Sequence, residues 1–279
     1  MTIPVTTDKQ PLTISRYNSS EYLTSVMKLP DNCEVISAET FSNKTILKSV
    51  ILPSEMQQIG AKAFQGCTSL QKLRLPESIE QLGIGAFSDC VALRELQIPS
   101  GLTYIPKHAF QNARRLHTVT FPASSNLVMI GADAFSECSS ISSLVFPASL
   151  EEIDDRAFYK CKNLSKVSFP EGLKIISKQA FYFCGLTSLT LPSSLEVLDE
   201  SAFFKCSKLT HVVIPPNVRY LGKWIFHGCN RLQTLEIRHD PEFIGEWITN
   251  KATTVRCYKG SRMDRYCRQS GLPTEYLQD

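Results

Sequence analysis

One phrase recurs about every 23 residues from Thr24 to Thr254, and no other feature constrains the fold as tightly. It reads Leu-x-x-Leu-x-Leu-Pro-x-x-Leu-x-x-Ile-Gly-x-x-Ala-Phe-x-x-Cys-x-x, and the copy from Leu70 to Ala92 is LQKLRLPESIEQLGIGAFSDCVA. A unit this short cannot enclose a core alone, so its apolar positions must be covered by the units on either side. Stacked units form a solenoid with one continuous core and a long outer surface whose exposed positions vary from copy to copy. Such a surface suits binding better than catalysis, which needs groups converging on one pocket.

The register follows from the phenylalanines. Phe41, Phe64, Phe87 and Phe110 are 23 residues apart. Phe135 follows after 25, where PASSNL replaces a shorter turn of the PASL type, and Phe158 and Phe181 return to 23. Phe203 comes after 22, one residue being lost around Cys184-Gly185-Leu186, and Phe226 again after 23. Surface turns absorb insertions and deletions this small at little entropic cost. Pro30, Pro53, Pro76, Pro99, Pro122, Pro147, Pro170, Pro192 and Pro215 keep the same beat.

Within a copy, LxxLxLP alternates like a strand, with Leu73 and Leu75 inward and Lys72 and Arg74 outward. Pro76 ends it, having no N–H for the ladder. Ile79 and Leu82 are spaced for a second short extended or turn segment, and Gly83 is expected to permit a tight turn. Ala86-Phe87 plugs the core from a helical or irregular turn, with Cys90 inside as a small apolar group. About ten coils at the strand spacing of about 4.7–4.9 Å would make a rod or arc about 45–50 Å long. The expected organisation is an N-terminal cap over 1–23, the solenoid over 24–254 and a C-terminal cap over 255–279.

Composition agrees with one elongated domain. The chain has 279 residues, 43% of them hydrophobic, and the repeat runs without a linker or charge block. A net charge of +3 is too small and too dispersed to predict nucleic-acid binding. No run of apolar residues is long enough for a membrane span. The opening MTIPVTTDKQPLTISRYNSS lacks the basic-then-apolar succession of a secretory leader. A cytoplasmic chain is expected, with a secreted or cell-surface location as the alternative if a leader has been removed.

The phrase LP-x-x-L-x-x-I-G-x-x-A-F-x-x-C-x-x-L, nearly intact at Leu52–Leu70, Leu75–Leu93 and Phe169–Leu186, resembles that of the BspA-like, or Treponema-type, leucine-rich repeat proteins. The resemblance covers some four fifths of the chain, and Val255–Ser261 followed by Tyr266 looks like that class's C-terminal closing turn. It implies a right-handed leucine-rich repeat solenoid, mostly strand and coil, used for protein recognition. Many members are surface proteins of bacteria and some parasitic protists, and several are associated with adhesion to host proteins.

Of ten cysteines, seven share one repeat position: Cys67, Cys90, Cys138, Cys161, Cys184, Cys206 and Cys229. Ala113 fills that slot in one copy, so the slot wants a small group, and Cys33 fills a leucine slot. This predicts a ladder of buried, reduced thiols and a reducing compartment. Cys257 and Cys267 form an off-pattern pair for which a disulfide stays open. No CxxC or HxxxH pair exists, so neither metal nor cofactor is expected. His108, His117, His211, His227 and His239 fall at unrelated repeat positions. Gly83-Ile84-Gly85 lacks the long following helix of a phosphate loop, and Asp154-Asp155 reads as a capped turn. No nucleophile and base converge, so an enzyme is not expected.

Two outward surfaces are candidates for a protein partner or for self-association. The strand face carries Lys72, Arg74, Thr118, Thr120, Lys166, Thr190 and His211, and is mostly small and neutral. The position after each core phenylalanine holds Gln65, Ser88, Gln111 and Ser136, then switches to Tyr159, Tyr182, Phe204 and His227, with Phe183 and Trp224 alongside. That row reads either as a stacking ladder or as a docking stripe. Its aromatic character makes it the leading candidate, with the strand face as the alternative. The expected function is a non-enzymatic protein-interaction module, and the rival is a microbial adhesin for host protein or carbohydrate.

Overall fold

The computed structural model describes residues 10–278. Two rows of short parallel strands run along a solenoid of about 12 turns. The first row is the LxxLxL segment, from Val26–Lys28 and Ser49–Ile51 through Glu95–Gln97, Thr118–Thr120 and Ser143–Val145 to Thr234–Ile237, Thr254–Cys257 and Thr274–Tyr276. The second runs from Leu12–Ile14 and Cys33–Ile36 to Phe243–Ile244, and seven of its strands, Tyr104–Ile105 to Phe243–Ile244, form one sheet. Strands are added at both ends, at Leu12–Ile14 and Thr274–Tyr276, which is why the turns outnumber the ten expected from the repeat. The second row was foreseen only as an extended or turn segment. It is a true strand row because Gln58–Ile59 pairs with Gln81–Leu82, and from Tyr104–Ile105 onward each coil pairs with the next in the same parallel register.

The third side has no strands. Each core phenylalanine is flanked, two residues before and two after, by left-handed residues, as at Lys62 (φ 56) and Gly66 (φ 71) around Phe64 and at His108 (φ 59) and Asn112 (φ 62) around Phe110. Alternating left- and right-handed residues turns successive N–H groups to different sides. Those of Lys62, Phe64 and Gly66 donate forward to Ile84, Ala86 and Ser88 carbonyls at 2.9, 2.8 and 2.8 Å. Those of Ala63, Gln65 and Cys67 close turns within their own coil. The amides of these turns are thereby used without helix or sheet.

The core is a ladder of nine phenylalanines, none more than 1% exposed. Their ring centroids repeat at 5.2–5.6 Å. The seven slot cysteines are buried beside it, and each thiol donates to the carbonyl of a phenylalanine in the preceding coil, from Cys67 Sγ to Phe41 O at 3.1 Å to Cys229 Sγ to Phe203 O at 3.2 Å. Burial pushes Cys67 up to about 11 and Cys138 and Cys229 up to about 12. These thiols are neutral and unreactive at physiological pH. All ten cysteines are free, Cys257 and Cys267 included.

Gly83 serves a different purpose from the tight turn expected of it. Its φ is not left-handed, and a Cβ there would lie 2.1 Å from the Ala61 nitrogen. Gly60, Gly222 and Gly245 meet the preceding coil in the same way. Glycine at this position lets one coil's backbone lie against the next. The coil shortened at Gly185 has no strand in the first row, so Ser188 and Thr190 lie outside regular pairing.

The C-terminal end is covered by the helix Arg262–Ser270. Ser261 Oγ caps it by accepting the Asp264 N–H at 3.1 Å, and Gly271 ends it at φ 64. Buried Asp264 accepts from Gly260 N at 2.8 Å and Arg268 Nη2 at 2.7 Å, and the Gly260 bond leads in holding its carboxyl below the usual range. Met263, Cys267 and Leu272 close over the last coil.

Phe158→Ala is expected to cost about 3–5 kcal/mol, because a ladder of rigid rungs cannot collapse into the gap. Thr120→Ala on the exposed strand face is expected to stay within about 0.5 kcal/mol. Chemical denaturation with equal losses at both sites would refute the register. Titration of the denatured protein without reductant is expected to find all ten thiols free. A count near zero would mean a disulfide-stapled rod.

Candidate interaction surface

The aromatic row lies on the strandless side. Tyr159–Tyr182, Tyr182–Phe204 and Phe204–His227 stack with centroids 4.9, 5.0 and 5.7 Å apart, parallel to the buried phenylalanine ladder. All four side chains are half-buried. Packing between coils therefore accounts for much of their presence, and what faces outward is one edge of the stack. Phe183 and Trp224 differ from them. They occupy the left-handed positions (φ 56 and 59) flanking core phenylalanines and are 40% and 38% exposed. Trp247, one coil beyond Trp224 and 51% exposed, belongs with them. The repeated Trp-Ile at Trp224-Ile225 and Trp247-Ile248 carried that signal in the sequence.

Lysines lie over these rings. Lys160 sits 4.9 Å from the Tyr159 centroid, Lys162 5.6 Å from Phe183, Lys205 5.6 Å from Phe204, Lys223 4.7 Å from Trp224 and Lys251 5.9 Å from Trp247. Each is within or near the reach of a cation–π attraction, worth about 0.5–1 kcal/mol at an exposed site.

The strand face offers grooves instead of rings. Lys72 and Arg74, with Ile51, Arg94 and Glu95, line a groove of about 860 Å³. Thr118 and Thr120, with His117, Ser143 and Val145, line another of about 720 Å³. Lys166 pairs across from Ser143, and His211 Nδ1 meets Thr234 Oγ1. Towards the C-terminal end this face is closed by charge. Glu236 is buried between Arg238 at 2.5 Å and Arg256 at 2.6 Å, and the Arg238 hydrogen bond leads in holding its carboxyl below the usual range.

A third surface was not foreseen. The outward positions of the second strand row read Tyr104, Met129, Glu152, Ile175, Val197, Tyr220 and Phe243, with Tyr220 stacked on Phe243 at 4.7 Å. Glu152 interrupts this apolar line. Burial first, then Asp154 and Asp155, push its carboxyl above the ordinary range. Burial and Asp154 do the same to Asp155, whose Oδ1 accepts the Lys178 N–H at 3.1 Å. Among the described residues no group of three or more His, Cys, Asp or Glu could hold a metal ion, and no helix is long and apolar enough to cross a membrane.

The family model for the BspA type leucine rich repeat region matches residues 13–129 and 128–255. The chain belongs to that family. Among solved structures, a leucine-rich repeat protein from Bacteroides ovatus is similar at 22% identity and a TM-score of 0.51, over 91% of this chain and 84% of that one. A leucine rich cell surface protein from Faecalibacterium prausnitzii is similar at 20% identity and 0.51, over 97% and 83%. At such identities the likeness shows the fold alone. No curated protein matches the chain.

A carboxyl raised in the folded state contributes stability below its unfolded value, and that contribution is lost as pH rises through the folded one. Glu152→Gln removes the charge at nearly constant volume. It is expected to raise the Tm at neutral pH, and the gain should vanish as pH falls below the ordinary glutamate value of about 4.3. Melts showing the same shift at every pH would attribute the effect to packing.

Proposed function

We propose that the chain is a non-enzymatic protein-binding scaffold, and that its contact surface is the strandless side of the C-terminal half, with Tyr159, Tyr182, Phe183, Phe204, Trp224 and His227. One observation carries the proposal. Large rings stand exposed at Phe183 and Trp224, left-handed positions that the other core-phenylalanine coils fill with polar residues or glycine, such as Asn43, Gly66 and Asp89 in the Phe183 slot and Glu39, Lys62 and His108 in the Trp224 slot. A bulky residue is disfavoured there, at a cost of order 1–3 kcal/mol. Stacking explains the half-buried row, but it does not explain strained and exposed rings.

A second reading places the partner on the strand face, around Lys72, Arg74, Thr118, Thr120, Lys166, Thr190 and His211, and is favoured by the two grooves there. The buried free thiols suit a reducing compartment. That favours an intracellular location over a secreted or surface-anchored adhesin.

Phe183→Asn with Trp224→Asn separates binding from folding, since asparagine tolerates the left-handed region. The doubly substituted chain is expected to keep or raise its denaturation midpoint. Proteins recovered on the wild type from native lysate should then bind it at least about tenfold more weakly, as for loss of hot-spot rings. Unchanged capture by this variant, with capture lost on Lys72→Ala/Arg74→Ala, would move the site to the strand face.

A further inference from the structure

The proposed contact side has a charge bias that the net charge of the chain hides. From Ser201 to Leu235 there is no Asp or Glu, while Lys205, Lys208, Arg219, Lys223 and Arg231 all fall in that stretch. The turns after Phe158 and Ile248 continue the pattern with Lys160, Lys162 and Lys251 and no carboxylate before the next strand. Among the earlier coils, the turn after Phe87 carries Asp89 and the turn after Phe135 carries Glu137, which lies 3.8 Å from Arg114 of the coil before it. From the turn after Phe158 onward, where the aromatic row begins, no such turn holds a carboxylate.

Ion pairing sorts these cations into two groups. Lys160 reaches Glu137 at 3.9 Å, and Lys223 shares Glu200 with Lys178 at 3.5 and 3.1 Å. Among the described residues, Lys162, Lys205, Lys208, Arg231 and Lys251 have no carboxylate within ion-pair distance. Three of these five instead rest over Phe183, Phe204 and Trp247. A lysine held by a ring is ordered without being neutralised, so its charge remains available to a ligand. Exposed and half-buried rings alternating with unneutralised ammonium groups complement a chain that alternates apolar side chains with carboxylates.

We propose that this side docks an acidic, aromatic-bearing segment of a partner protein. Its carboxylates meet Lys162, Lys205 and Lys251, and its apolar side chains meet Phe183, Phe204 and Trp247. The inference rests on the protein-binding reading above and adds the chemistry of the partner.

The test uses the full chain and fluorescein-labelled peptides of repeating Glu-Glu-Phe, Gln-Gln-Phe and Lys-Lys-Phe, read by fluorescence anisotropy at low and physiological salt. Heparin and single-stranded DNA serve as competitors that carry charge without apolar side chains. The acidic peptide is expected to bind with salt-sensitive affinity, and the other two at least about tenfold more weakly. Lys162→Gln/Lys205→Gln/Lys251→Gln should weaken it at least about tenfold, and Lys72→Gln/Arg74→Gln on the strand face should leave it unchanged.

Several results would overturn the proposal. A neutral peptide that binds equally well, and is lost in Phe183→Asn/Trp224→Asn, would leave the protein-binding reading standing and remove the acidic partner. Equal loss in the strand-face variant would show only diffuse attraction. Displacement by heparin or DNA at matched charge would point to a polyanion. Sedimentation showing self-association that the lysine substitutions abolish would make the occupant a second copy. Absence of binding by every peptide would remove both the acidic segment and the ring surface as a peptide site.

Discussion

The hydrogen bond from each core phenylalanine N–H to the carbonyl in the next coil is the constraint on which the rest depends. It recurs from Phe41 to Ala63 through Phe226 to Ile248, at 2.8 Å in all but one coil. To make it, the residues two before and two after must turn left-handed, and fifteen non-glycine residues and three glycines do so. Isolated left-handed residues cost of order 1–3 kcal/mol each. The phenylalanine ring and the three forward N–H bonds of each coil offset that cost together, because the geometry that aims the N–H forward also drives the ring inward. Stability is thus a sum over nearest-neighbour interfaces, and the outer positions are free to vary.

Much of this was legible in the sequence because the repeat displays its own register. The phenylalanines mark the core rung and LxxLxL marks the first strand row, though Thr190, read as a strand-face residue, lies in the one coil without a strand there. What escaped was information that exists only between coils. Gly83 looks like a turn glycine until Ala61 of the preceding coil is placed 2.1 Å from its absent Cβ. Gln81–Leu82 is too short to read as a strand until its partner Gln58–Ile59 lies beside it. The slot cysteines read as small apolar groups, which they are, but their thiols also satisfy the phenylalanine carbonyls. Ala113 shows that this bond is dispensable. The outward line Ile175, Val197, Tyr220 and Phe243 was visible as the residue before each buried Ile or Leu. A segment expected only as a short extended or turn piece does not reveal that its outward residues line up from coil to coil.

The same architecture limits chemistry. Seven neutral thiols in a row form a conspicuous group of nucleophiles, yet burial suppresses the thiolate in each, and the ladder is structural. The perturbed carboxyls do not converge with a base either. Glu236 and Asp264 are held ionised by arginines and backbone N–H groups at the C-terminal end, whereas Glu152 and Asp155 are pushed towards neutrality on the second strand row. Sign and location separate them into two structural devices.

The two halves of the solenoid share one fold and differ in surface. The first half stacks its coils with Gln65, Ser88, Gln111 and Ser136 after the core rings, so folding does not require aromatics at that position. In the second half, stacking at 4.9–5.7 Å gives Tyr159, Tyr182, Phe204 and His227 a structural reason to be there. The same reason fails for Phe183, Trp224 and Trp247, which are exposed and backbone-strained. It also fails for the loss of every carboxylate between Ser201 and Leu235. Exposed rings at the left-handed positions and the run without carboxylates are separate departures from what the repeat needs, and both fall in the C-terminal half. The half-buried row is best seen as a rigid floor that fixes the exposed rings and their lysines at the coil spacing.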